Sequence, residues 1–135
     1  MSHLRVIQPE GWKRPPGFSW GMSASQGRLV TVAGQLATVG GSIEVEPGLS
    51  FTDQFELCLK NVATVGAAAG GQPEDIAMMR AYVRDMQAFK EGGPAIREAW
   101  LKILGKHYPP MTMLQVQMLF DPNALVEIDA FAVVQ

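Results

Sequence analysis

The sequence predicts an α+β domain in which an open sheet is backed by helices on one side. Three observations carry this. The last third of the chain, residues 108–120 and 126–134, alternates apolar and polar side chains at the two-residue period of a strand. Phe51, Phe55, Leu59, Val62 and Ala69 recur at the period of a helix behind a Ser50/Asp53 cap. Pro- and Gly-rich stretches punctuate the chain between such runs, and a 135-residue chain that is 47% hydrophobic can bury one core but not two. Residues 1–135 are therefore read as a single domain.

Taken in order, residues 5–7 (Arg-Val-Ile) form a short strand, and residues 8–17, with three prolines and two glycines, form a loop excluded from a sheet interior. Residues 18–24 and 28–35 read as a hairpin about the Ser25-Gln26-Gly27 turn. A helix starts after Ser50 and stops at Gly70-Gly71, with Phe55, Cys58, Leu59 and Val62 on its apolar side and Asp53, Gln54 and Glu56 on the other. In the next strand Ala77, Met79, Ala81 and Val83 make an apolar face, while Met78, Arg80, Tyr82 and Arg84 make the opposite one. Asp85-Met86-Gln87-Ala88-Phe89 resembles a segment of the family named below, a resemblance that implies a cap and one helical turn. A second helix begins near Pro94 and runs to about Gly105, carrying Ile96, Trp100 and Leu104 on one face.

The two final runs read as a second hairpin about Asp121-Pro122-Asn123. Period-2 geometry puts Met113, Gln115 and Gln117 on one face, and Leu114, Val116, Met118 and Phe120 under the helices. In the last strand Glu127 and Asp129 oppose Ile128, Ala130, Ala132 and Val134. The expected order is β-β-β-α-β-α-β-β, with a partly polar uncovered face holding Arg80, Tyr82, Glu127 and Asp129.

Charge and composition narrow the function. Net charge is −2 and no block of like charge occurs, so the electrostatic footprint of a nucleic-acid surface is missing. No apolar run is long enough to span a bilayer, which gives no membrane partner. A lone cysteine and an N-terminus without a basic-then-apolar segment make a cytoplasmic setting the expectation. Cys58, on the apolar stripe without a basic neighbour, reads as a small buried hydrophobe. His107 reads as a helix-end residue interacting with the dipole. No pair of residues has metal-ligand spacing, so no metal is expected, and no phosphate loop or Ser-His-Asp pattern occurs.

The aromatic-Pro of Tyr108-Pro109 before a short strand, and the closing Val-Glu-Ile-Asp-Ala-Phe-Ala-Val of residues 126–133, resemble the C-terminal signature of the Rid (YjgF-type) reactive-intermediate deaminases. Phe18, at the place of that family's strand-leading aromatic, and Gly34-Gln35 fit the same pattern. The resemblance implies a chorismate-mutase-like fold with a mixed sheet and two helices on one face, assembled as a homotrimer with small-molecule sites in inter-subunit clefts. It also implies cofactor-independent hydrolysis of imines or enamines to a carbonyl compound and ammonia. Glu127 matches the acid that positions the attacking water. Gly34 matches a backbone position that ligand approaches, and Thr112 is the other expected backbone contact. Phe18 keeps a ring to pack on substrate but lacks the usual hydroxyl, and Trp20 can supplement it.

At one position the chain departs from the family. Aligning Tyr108-Pro109 puts Met111 where the family has the Arg that clamps a substrate carboxylate, and a thioether cannot make that bidentate pair. Two readings follow: the substrate does not need that clamp, or another cation supplies it, Arg80 being the candidate. Arg80 is equally readable as a structural partner of Glu127 or Asp129. Met111 and Met113, among eight methionines, suit an adaptable apolar pocket. The expected function is deamination of a small enamine or imine, such as a pathway intermediate of the aminomuconate type. The alternative is a ligand-binding trimer of the same fold without the chemistry.

Overall fold

A computed structural model describes residues 3–135. Among them the strands are β1 (Arg5–Ile7), β2 (Gly21–Ser23), β3 (Arg28–Gln35), β4 (Ile76–Val83), β5 (Met111–Gln115) and β6 (Val126–Val134), and the helices are α1 (Phe51–Ala68), α2 (Met86–Glu91) and α3 (Gly93–Ile103). Four strands form a mixed sheet in the order β3-β6-β4-β5, and β1 and β2 form a separate antiparallel ribbon. β4 and β5 are parallel, while β6 is antiparallel to both β3 and β4. Parallel neighbours need a crossover, and α2 with α3 provides it. α1 connects β3 to β4 with β6 inserted between them, a split βαβ arrangement.

Local chemistry sets the helix ends. The Ser50 hydroxyl accepts from the Asp53 N–H at 3.1 Å, capping α1. At the other end Gly70 takes φ +87°, the Gly70 N–H donates to Ala67 O and the Gly71 N–H to Gly66 O, a Schellman closure at the expected glycines. Asp85 caps α2 by accepting from the Gln87 N–H at 2.9 Å. Phe55, Cys58, Leu59 and Val62 of α1 and Ile96 and Trp100 of α3 close over Met79, Ala81, Val83, Ile128 and Ala130 of the sheet, making one core. The last strand has the expected phase, alternating buried and half-buried from Val126 to Val134.

Both predicted hairpins are corrected. β2 pairs with β1 rather than β3, and Phe18 lies outside it. The Ser19 hydroxyl donates to Tyr108 O at 2.6 Å and its N–H to Pro109 O at 3.5 Å, so this stretch is tied to the approach to β5. β5 pairs with β4 rather than β6, because the α2–α3 crossover returns it to the free edge of β4. Residues 116–125 then pass back across the sheet end, and Asp121 makes the expected turn, its Oδ1 accepting from the Asn123 N–H at 2.7 Å.

The face of β5 is also the reverse of the expectation. Met111 and Met113 align with Met79 and Ala81 and pack against the core, whereas Leu114 is exposed and Phe120, beyond the strand, is 74% exposed. Gln115 leaves the polar face and accepts from the Met86 N–H at 2.9 Å, tying β5 to the start of α2. Gln54 is buried, not on the polar side of α1. Its Oε1 accepts from the Leu125 N–H at 2.8 Å and its Nε2 donates to Asn123 O at 3.0 Å, so the amide satisfies the returning connection.

Candidate functional site

The sequence candidates fall on two surfaces of one chain. The first is the uncovered face of the sheet, where Glu127, Asp129 and Phe131 of β6 stand beside Tyr82 and Arg80 of β4. Thr112 of β5 aligns with Arg80 on its other side. The Arg80 guanidinium grips Asp129 with two bonds, Nε to Oδ1 at 2.9 Å and Nη2 to Oδ2 at 3.0 Å, and lies 5.5 Å from the centre of the Phe131 ring. The Tyr82 hydroxyl donates to Asp129 Oδ2 at 3.2 Å. These bonds hold Arg80 more firmly protonated than usual, while burial and then Asp129 push the Tyr82 hydroxyl up.

Glu127 is one residue pair further along the same face and takes no part in that network. No ion pair or hydrogen bond engages its carboxylate among the described residues. Burial first, and the Asp129 charge second, hold its carboxyl above the ordinary carboxylate range. Gly34 explains how Glu127 fits. The β3–β6 register shifts between Val32 and Gln35, and a Cβ on Gly34 would overlap the Glu127 carboxylate. Gly34 also borders a smaller depression of about 430 Å³ shared with Asn61 and Thr64. There Asn61 Nδ2 donates to Leu36 O and Thr38 O, fixing the loop after β3.

The second surface is a cavity of about 970 Å³ between the 14–19 loop, α2, α3 and the start of β5. Phe18, Met111 and Met113 line it, together with Phe55, Phe89, Trp100 and Tyr108. The Trp100 and Tyr108 rings stack at 6.2 Å with 10° between planes, and Trp100 Nε1 donates to His107 O at 2.9 Å. His107 serves this wall rather than a helix end, since its Nε2 bonds Ile76 O at 2.7 Å. Trp20 does not line the cavity. Its ring meets Phe18 edge-on at 5.3 Å and Trp12 at 5.2 Å, and its Nε1 donates to Lys13 O, so it braces the Phe18 loop.

Sequence reasoning missed the cationic part of this cavity, Arg14, Lys90, Arg97 and Lys106. They lie in separate segments and form no charge block. The available signal was weak: Gly93, Arg97 and Leu101 share one side of α3 at a spacing of four. Cys58 is fully buried with Sγ 3.6 Å from Val126 O, and burial pushes its thiol pKa far up, which suits the small-hydrophobe reading. Among the described residues no three potential ligands gather as a metal site, and no helix is long and apolar enough to cross a membrane.

This split βαβ sheet, open on one face and helix-backed on the other, defines a Rid/YjgF-type fold. The family model described as Endoribonuclease L-PSP matches residues 14–134, and the chain belongs to that family. A RutC family protein, PH0854 of Pyrococcus horikoshii, is 26% identical over 127 residues, covering 94% of this chain and 95% of the relative. The Rid-family protein YyfB of Yersinia pestis superposes with a TM-score of 0.82 at 29% identity, over 98% of this chain and 99% of that one. RidA of Psychrobacter sp. PAMC 21119 superposes with a TM-score of 0.65 at 24% identity, over 96% and 99% of the two chains.

Proposed function

We propose that this protein is a cofactor-independent deaminase that hydrolyses a small imine or enamine to a carbonyl compound and ammonia. The observation that carries the reading is the separation of Glu127 from Arg80. Asp129 takes the guanidinium, which leaves Glu127 unpaired with its carboxyl raised above the ordinary carboxylate range, burial first and the Asp129 charge second. A carboxylate locked in an ion pair favours a structural role, and this one is not locked.

The chemistry follows from that state. Glu127 as carboxylate accepts a proton from water while the water oxygen bonds to the C=N carbon. The protonated carboxyl returns the proton to the nitrogen, giving a carbinolamine; Glu127 then takes the carbinolamine hydroxyl proton and passes it to the nitrogen, so that the C–N bond breaks, ammonia leaves and the C=O bond forms. An enamine enters the same course once it tautomerises to the imine. Backbone beside Gly34 and Thr112 contacts substrate, and Phe18, Met111 and Met113 pack on it.

Within one chain Glu127 and the Phe18–Met111 cavity open on different surfaces, so one copy holds two halves of a site. A cyclic homotrimer in which the sheet face of one copy meets the cavity side of the next completes it. The exposed apolar residues Leu29 and Leu114, at 69% and 51% exposure, support burial of that face between copies. A cytoplasmic setting and a small-molecule ligand belong to the same reading, with no nucleic acid as partner. Met111 favours the alternative of a non-catalytic ligand-binding trimer, since it removes the carboxylate clamp. Ammonia release by the natural protein and by Glu127→Gln decides between them: loss in the variant with assembly intact supports the enzyme, and equal rates support the binding module.

A further inference from the structure

The 970 Å³ cavity is ringed by charge of one sign. Arg14, Lys90, Arg97 and Lys106 line it, yet none of the chain's 13 carboxylates does, although acids outnumber the 11 bases. All four cations are exposed, and none forms an ion pair among the described residues, where the pairs are His3–Asp75, Arg80–Asp129 and Lys102–Glu56. Deeper in, Phe55 and Trp100 are buried and Tyr108 and Met111 half-buried, giving an aromatic and thioether floor. A cationic rim over an apolar floor is complementary to an amphipathic anion.

We propose that this cavity takes a small acid whose carboxylate or phosphate is separated by an apolar or aromatic body from the group that reacts. The inference rests on the deaminase reading and assigns its substrate class. The acid group meets the Arg14, Lys90, Arg97 and Lys106 rim, the body lies on Phe18, Trp100 and Tyr108, and the C=N group sits near Met111. An acid directly on the C=N carbon finds only the Met111 thioether. The lost clamp is thus replaced by cations further from the reacting carbon, and substrates are longer than simple 2-imino acids.

Titration calorimetry of the whole chain tests this with three probes of similar shape: 4-phenylbutyrate, 3-phenylpropyl phosphate and the neutral 4-phenylbutyramide. At least one acid binds once per chain, at least about tenfold more tightly than the amide, and more weakly at raised salt. The tighter acid identifies the anionic group. The double variant Arg97→Gln/Lys106→Gln, at exposed positions, weakens that acid by about tenfold with an unchanged far-UV spectrum. Binding of the acid by Glu127→Gln, which lacks ammonia release, shows that the cavity stands apart from the catalytic step. Equal binding of acids and amide, no binding of either acid, or full affinity in the double variant overturns the proposal.

Discussion

The carboxylate of Glu127 occupies the volume that a side chain on residue 34 would need, so Gly34 on β3 and Glu127 on β6 define one another's positions. Replacing Gly34 with Ala forces the carboxylate to move, and small displacements of a catalytic group are costly. Gly34→Ala is expected to lower ammonia release by about 10- to 100-fold with the helix and sheet signals of circular dichroism retained. Full activity in a folded Gly34→Ala protein contradicts the role given to this pair.

The raised Glu127 carboxyl predicts two pH effects. Protonation removes the base, so activity falls as pH drops through a midpoint above the ordinary value of 4.5. For stability the sign is the reverse of the usual acid. Because the folded pKa is raised, the Glu127 contribution is most favourable below 4.5 and is lost as pH rises through the folded value. Glu127→Gln therefore melts higher than the natural protein above that window and at the same temperature below it, as thermal melts at several pH values read out.

Met111 lines the cavity that holds Phe18 and packs against the core. Met111→Arg supplies the planar cation that a carboxylate next to the C=N carbon requires. Ammonia release from 2-imino acids generated in situ by an amino-acid oxidase is expected to rise by about tenfold or more over the natural protein. A natural protein that already turns these over rapidly contradicts the meaning given to Met111.

The exposed Leu29 on the uncovered sheet face tests the assembly. Leu29→Asp places a charge where copies are proposed to meet, and sedimentation is expected to show monomers with the far-UV spectrum unchanged. A mass equal to that of the natural protein places the interface elsewhere.

Cys58 is fully buried on the core side of α1 with its thiol pKa pushed up. Thiol reagents are expected to label it only at the rate of unfolding, so denaturant accelerates labelling in step with loss of structure. Rapid labelling of the folded protein contradicts its placement in the core.

What the sequence made legible was local. Ser50 with Asp53 and Gly70 with Gly71 each announce a helix end through contacts spanning a few residues, and each forms as expected, as does the Asp85 cap that the resemblance implied. The alternation of residues 126–134 is strict enough to fix both faces of β6. Pairing was not legible. Two strands joined by turn chemistry look like a hairpin, and nothing in residues 108–134 records that β4 lies between them. The phase of β5 failed because methionine and glutamine serve either face, so Met113 and Gln115 gave no decisive period. At the candidate site the resemblance made Glu127 and Gly34 legible as candidates, and the fold packs one against the other. The cationic rim was not, because Arg14, Lys90, Arg97 and Lys106 meet only after the loop, α2 and α3 have packed.

The central claim is that Glu127 places the water that releases ammonia. Its most direct measurement is the rate of ammonia release from imines formed in situ, some bearing an acid on the C=N carbon and some bearing it further away, for the natural protein and Glu127→Gln side by side. The natural protein is expected to accelerate release, most strongly for the imines with the remote acid, and the folded variant to fall by about 100-fold or more. Equal rates from the two proteins, or no acceleration by the natural one, contradict it.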